Sequence, residues 1–161
     1  MKKLKIYLDT STISHLEAFD VPEKMSDTHK LWDLLKAGIH NIFISPTVIT
    51  ELMDCPEVKR IKLFEHLKDL EYTILDETEE VRILAQAYLD SSILRPRCVA
   101  DSKHIAHAVV ENCDVIVSWN FKDLVNVKTI NGVRSVNAVN NYKAIDIVSP
   151  PSVSVEEVPN E

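Results

Sequence analysis

Glycine is scarce in this chain, with two residues in 161. Tight turns draw on glycine's freedom at positive φ, so the scarcity argues against a turn-rich all-β fold. Cysteine is scarce as well. Cys55, Cys98 and Cys113 are odd in number, far apart and in no C-x-x-C pair. That pattern supports neither a disulfide framework nor a cysteine-based zinc site, and a reducing cytoplasm is the expected setting. Long apolar runs are missing: nowhere do 18 apolar residues follow one another, and Met1 to Asp9 holds only a short apolar run. Neither a membrane span nor a secretion signal is expected. Positive charge is also short. The formal net charge of −7 argues against a protein that holds nucleic acid mainly through a basic surface. It does not exclude an enzyme that cleaves nucleic acid, because a cluster of carboxylates around a divalent cation counts as negative until the ion reverses the local field.

The apolar fraction of 45% and charged fraction of 27% are ordinary for a globular chain of one domain, with a real core and one active site. Leu4 to Leu8 is a β-type run, and Thr10, Ser11 and Thr12 offer caps for a helix starting near Ile13. A helix is predicted from about Asp27 to Ala37, with Leu31, Leu34 and Leu35 on one stripe and Gly38 as the stop. Asn41 to Ile44 reads as a second strand. Ser45 followed by Pro46 is a helix start that puts Glu51 on the second turn. Pro56 opens a helix to about Leu70, Tyr72 to Leu75 makes a third strand, and the acidic stretch Asp76 to Glu80 leads a helix through Leu89. A further helix spans Val99 to Glu111, Val115 to Val117 is a fourth strand, and Val127 to Ile130 is read as a fifth. Such alternation implies an α/β fold with right-handed crossovers, a parallel sheet of four to five strands and helices on both faces. The domain is expected over 1–142, with 143–161 as an extended arm or tail that holds a possible strand at Ile145 to Val148 and then Pro150, Pro151 and Pro159.

Acids sit where acids are costly. Asp9 directly follows Ile6-Tyr7-Leu8, Glu51 lies beside Val48, Ile49 and Leu52, and Asp101 opens an apolar helix. Each taken alone reads as a cap, a dipole-satisfying residue or solvated surface. Together, at the carboxyl ends of strands where ligands gather, they read as a site that needs a positive partner. Mg²⁺ suits such hard oxygen ligands and phosphodiester hydrolysis.

These residues resemble the PIN-domain nucleases, many of which are toxins of bacterial and archaeal toxin-antitoxin pairs. The match covers most of the chain and rests on Tyr7-Leu8-Asp9-Thr10-Ser11, Thr50-Glu51-Leu52, Asp101 to Ala106, and Ser118-Trp119-Asn120-Phe121-Lys122-Asp123. The resemblance implies a PIN-like three-layer α/β/α fold and RNA cleavage dependent on Mg²⁺ or Mn²⁺. It makes Asp9, Glu51 and Asp101 metal ligands, with Ser11 supporting the first acid, and suggests an antitoxin partner and a homodimer. Helix faces near Leu31 to Leu35 and Val81 to Leu89 are the candidates to pair, although the Leu31, Trp32, Leu34 and Leu35 stripe reads as core first and as a partner surface second. The fourth element departs from the family: Asn120 stands where an aspartate is expected and Asp123 comes late, so either could complete the site and a second metal is in doubt.

Around this set, Ser118, His104 and Arg97 are candidates to meet substrate, with Arg95 and Lys103 flanking the Asp101 helix. His104 and His107 lack a H-E-x-x-H pattern and read better as site neighbours or helix surface than as metal ligands. Trp119 could stack a base or serve the core. A haloacid-dehalogenase-type phosphatase would want an acid two residues after Asp9, where this chain has Ser11. A non-catalytic PIN-fold module for RNA binding or protein interaction remains the other alternative, permitted by Asn120.

Overall fold

The computed structural model describes residues 2–156. Five short strands, β1 (Lys5–Leu8), β2 (Asn41–Ile44), β3 (Tyr72–Ile74), β4 (Val115–Val117) and β5 (Asp146–Val148), form one parallel sheet in the order β3-β2-β1-β4-β5. Register puts Tyr7 between Phe43 and Ile116, and Leu8 beside Val117. The central strands are almost uniformly apolar because both of their faces are covered: Ile6, Tyr7, Leu8, Ile116 and Val117 are fully buried.

Helices α1 (Thr10–Ser14) and α2 (Pro22–Lys36) connect β1 to β2, and α3 (Pro46–Met53) with α4 (Glu57–Leu67) connects β2 to β3. Helices α5 (Glu79–Asp90) and α6 (Val99–Val110) precede β4, α7 (Val127–Val139) precedes β5, and α8 (Pro150–Glu156) follows it. The chain first steps outward from β1 to β3, then crosses to the other side of β1. Right-handed crossovers therefore put α1 to α4 on one face and α5 to α7 on the other, in keeping with the packing of α5 against both α6 and α7. The reversal of direction falls between β1 and β4. A crevice opens outside the carboxyl ends of strands at such a switch point, and Asp9 and Ser118 are the residues that immediately follow these two strands.

Several expectations are corrected. Val127 to Ile130 is the start of α7, not a strand. The Asn126 side chain accepts from Thr129 N and caps the helix, while Ile130, Val133 and Val136 supply a helical apolar stripe. The fifth strand is Asp146–Val148, the possible strand in the tail. The segment from 143 therefore does not trail as an arm as far as it is described: β5 pairs with β4 and α8 packs on α2. Residues 157–161 of that expected tail lie outside the described residues. The stripe of α2 is core, as its apolar spacing predicts: Leu31, Trp32 and Leu35 are buried within the chain. Val81, Leu84, Ala85 and Tyr88 of α5 are buried too, leaving Ile83 exposed.

Candidate active site

Asp9 is the N-cap of α1, so Thr10, Ser11 and Thr12 lie inside the helix instead of ahead of it. Its carboxylate is nearly buried at 3% exposure. Such a charge is tolerable only if its lone pairs are met, and here they are. Ser11 Oγ donates to both oxygens at 2.8 and 3.0 Å, Thr12 N and Thr12 Oγ1 donate to Oδ1 at 3.0 and 3.1 Å, and Ser118 Oγ donates to Oδ2 at 2.6 Å. The first helix and the end of β4 thus hold one acid between them. Ser11 also accepts from Trp119 N at 2.9 Å, which ties the loop after β4 to the same point. The position two residues after Asp9, where an aspartyl-nucleophile phosphatase would need its second acid, is Ser11, which donates to Asp9.

Glu51 arrives from the second turn of α3. Thr10 Oγ1 donates to its Oε1, and His104 Nε2 lies 2.8 Å from the same oxygen. Behind it runs a buried relay that the sequence did not disclose. Tyr7 OH is 2.7 Å from both His104 Nδ1 and Ser45 Oγ. Ser45 therefore spends its hydroxyl on Tyr7 rather than on capping α3. Burial pushes the Tyr7 hydroxyl well above its ordinary value, so it stays protonated. Burial alone would disfavour a charged His104, but the Glu51 hydrogen bond and the charges of Asp9, Glu51 and Asp101 outweigh it and raise its pKa. Burial likewise works against ionised Glu51, and the hydrogen bond and charge of His104 with the Thr10 hydrogen bond overcome it, so its pKa is lowered. The two share an ion pair.

Asp101, in the first turn of α6, has the opposite balance. Burial is the main cause that pushes its carboxyl up to about 6; His104 opposes the rise, and Asp123, Asp9 and Glu51 add to it. The Asn120 amide nitrogen reaches Asp101 Oδ1 at 3.5 Å, while Asn120 Oδ1 accepts from Asp123 N at 3.0 Å. Because the Asp123 N–H needs an acceptor, this orients the amide with its nitrogen toward Asp101 and its oxygen away. Asp123 itself is held by Arg95, whose Nη2 donates to both carboxylate oxygens at 2.9 and 3.0 Å.

Of the residues singled out in the sequence, Asp9, Ser11 and Ser118 join through direct hydrogen bonds, Glu51 and His104 form a separate hydrogen-bonded pair, and Asn120 bonds to Ser118, Asp101 and Asp123. Arg97 is exposed on the loop before α6, where Arg95 makes the contact instead. His107 is buried with neither ring nitrogen hydrogen-bonded among the described residues. Tyr7, Thr10 and Ser45 were missed as participants. Ser45 gave the same signal as an ordinary helix cap, and a tyrosine in an apolar strand reads as core.

For a cation, the donor chemistry is mixed. Among the described residues, the trio whose ligand-type atoms all lie within 4.8 Å of one another is Cys98, Asp101 and Asp123. Arg95 already supplies a cation to that trio, and a thiol is a soft ligand ill matched to Mg²⁺. The carboxylates of Asp9, Glu51 and Asp101 offer hard oxygens, and burial, with the nearby acids adding to it, raises the pKa of Asp101. Their chemistry suits an oxygen-seeking divalent ion better than that of the trio, but among the described residues Asp9, Glu51 and Asp101 do not form a set whose ligand atoms all lie within 4.8 Å of one another.

No helix among the described residues is long and apolar enough to cross a membrane. No protein-family model and no curated protein sequence matches the chain. Among solved structures, the chain is similar to one in the crystal structure of VapBC2 from Rickettsia felis bound to a DNA fragment from their promoter. The likeness has 17% identity and a TM-score of 0.56, and it covers 91% of this chain and 98% of that one. With this strand order and that likeness across nearly the whole length of both chains, the protein has a PIN-like α/β fold.

Proposed function

We propose that the chain is a divalent-metal-dependent endoribonuclease and the toxin of a toxin-antitoxin pair. The observation that carries this reading is the buried Asp9 at the switch point, held by two elements, with the partly buried Asp101 carboxyl as its electrostatic neighbour. Asp9, Glu51 and Asp101 would hold Mg²⁺ or Mn²⁺. When bound, such an ion stabilises negative charge developing on a phosphate and acidifies water. The protein's own groups then have defined tasks. Ser11, Thr12 and Ser118 fix the orientation of Asp9, and the Tyr7–His104 relay fixes Glu51 and keeps it ionised. Asn120 steadies Asp101 through its amide nitrogen, and its oxygen is committed to Asp123 N, so Asn120 acts as a positioning residue in this proposal. Asp123, paired with Arg95, borders the site. An antitoxin protein as partner is supported by the likeness to VapBC2, and a cytoplasmic homodimer completes the proposal, with light scattering at micromolar concentration as its check.

The test is cleavage of a single-stranded RNA with and without Mn²⁺, together with the thermal shift that Mn²⁺ produces. The wild type should cut only with the ion and should melt higher in its presence; Asp9→Asn should lose both effects. Retention of both by Asp9→Asn, or their absence from the wild type, overturns the proposal. A non-catalytic RNA-binding module is the second reading, favoured by the way Asn120 and Asp123 are already engaged within the chain. It predicts RNA binding with no metal-dependent cleavage.

A further inference from the structure

The loop after β4 carries two aromatic residues on either side of Asn120, and they have different fates. Trp119 is 7% exposed, and its indole N–H donates to Thr28 Oγ1 at 2.8 Å. It cannot offer a face to a ligand. Phe121 is 46% exposed, and its ring stands edge-on to Trp119, with centroids 6.1 Å apart at 71°. Lys24 of α2 brings its ammonium to 5.3 Å from the Phe121 centroid and 5.5 Å from that of Trp119. No carboxylate pairs with Lys24 among the described residues. A single exposed phenylalanine is ordinary. An exposed ring braced by a buried tryptophan, with an unneutralised ammonium beside it on a chain of net charge −7, is a different arrangement.

We propose that Phe121 and Lys24 form a subsite for one nucleotide of single-stranded RNA, the base stacking on the Phe121 ring and Lys24 meeting the adjoining phosphate. The inference rests on the nuclease reading and names how its substrate is held. The flat ring matches any base and the ammonium matches the backbone, the pairing by which single strands are bound with little sequence preference. The subsite is coupled to the acids by short covalent and hydrogen-bonded paths. Trp119 N donates to Ser11 Oγ, which in turn donates to Asp9, and Asn120 between the two aromatics reaches Asp101. These paths put the proposed subsite on the same loop that reaches the acids.

The experiment measures anisotropy of a labelled single-stranded RNA decamer with Ca²⁺ replacing Mn²⁺, and cleavage with Mn²⁺ in parallel. Phe121→Ala should weaken binding by about 5- to 100-fold, the range for one stacked base. Phe121→Trp should keep binding, whereas Phe121→Leu, apolar but not flat, should behave like Phe121→Ala. Lys24→Gln should reduce the slope of log K against log salt by about 0.7, the value for one phosphate contact on a single strand. Melting curves of the same samples verify that each variant is folded, which the exposure of Phe121 favours. If the wild type binds and cuts RNA while Phe121→Ala or Phe121→Leu binds equally well, the subsite is overturned and the nuclease reading stands. If the wild type neither binds nor cuts RNA, both fail.

Discussion

Replacing Asn120 with aspartate puts a carboxylate where an amide nitrogen now faces Asp101 Oδ1 at 3.5 Å. Two unit charges at that separation repel by about 4 to 5 kcal/mol at an effective dielectric near 20. Asp101 has an easier way out. Its carboxyl is already pushed up to about 6, so protonating it at pH 7 costs only about 1.4 kcal/mol. The lost amide hydrogen bond adds about 1 kcal/mol. The other end of the residue is spared, because an aspartate oxygen still accepts from Asp123 N. Protonation therefore limits the damage, and the metal-free Asn120→Asp protein should lose about 1.5 to 2.5 kcal/mol, a fall in melting temperature of roughly 3 to 10 °C for a chain of this size. With Mn²⁺ present the added charge becomes an asset, and the ion should raise the melting temperature of Asn120→Asp more than that of the wild type. Scanning calorimetry at pH 7 with and without Mn²⁺ reads both effects. An unchanged melting temperature without metal, or equal Mn²⁺ shifts in the two proteins, would refute the reasoning.

Asp101→Asn tests the same carboxyl through pH. Its folded pKa of about 6 exceeds the ordinary 3.8, so the folded state holds this proton more tightly and the metal-free wild type loses stability as pH rises from about 4 to about 6. The amide should remove that loss, worth about 1 to 2 kcal/mol at pH 7 after allowance for partial exposure. Urea unfolding should show the gain vanishing below about pH 4, and a gain independent of pH would contradict the cause. Tyr7→Phe should cost about 1 to 3 kcal/mol by leaving buried Ser45 and His104 short of a partner, and an unaltered denaturation midpoint would count against the relay. Gly132→Ala would place a methyl 2.6 Å from Ile93 Cγ1 and Cγ2. Overpacking of about 1 to 3 kcal/mol should outweigh the roughly 1 kcal/mol that alanine gains in a helix, and Ile93→Ala in the same chain should relieve it; a stabilised single variant would reverse that ranking.

Local sequence determined where most elements begin and which acids they carry near their ends. The apolar run before Asp9, the Ser45-Pro46 start and the stretch opening at Val99 each act over a few residues, so hydrophobic pattern and capping chemistry suffice to read them. The choice between Val127–Ile130 and Asp146–Val148 as the fifth strand was not local. Both are short and carry two apolar residues, and β5 is a strand because β4 offers it an edge, while the first segment has Asn126 to cap it as a helix. The site divides in the same way. Asp9 with Ser11 and Thr12 is a matter of two or three residues along the chain. By contrast, His104 meets Tyr7 across 97 residues and Glu51 across 53, and Arg95 finds Asp123 across 28. Such partners are chosen by strand register and by which helix the sheet brings alongside, so tertiary structure alone decided that the Glu51 pKa is lowered, that burial raises that of Asp101, and that Asn120 turns its nitrogen toward Asp101.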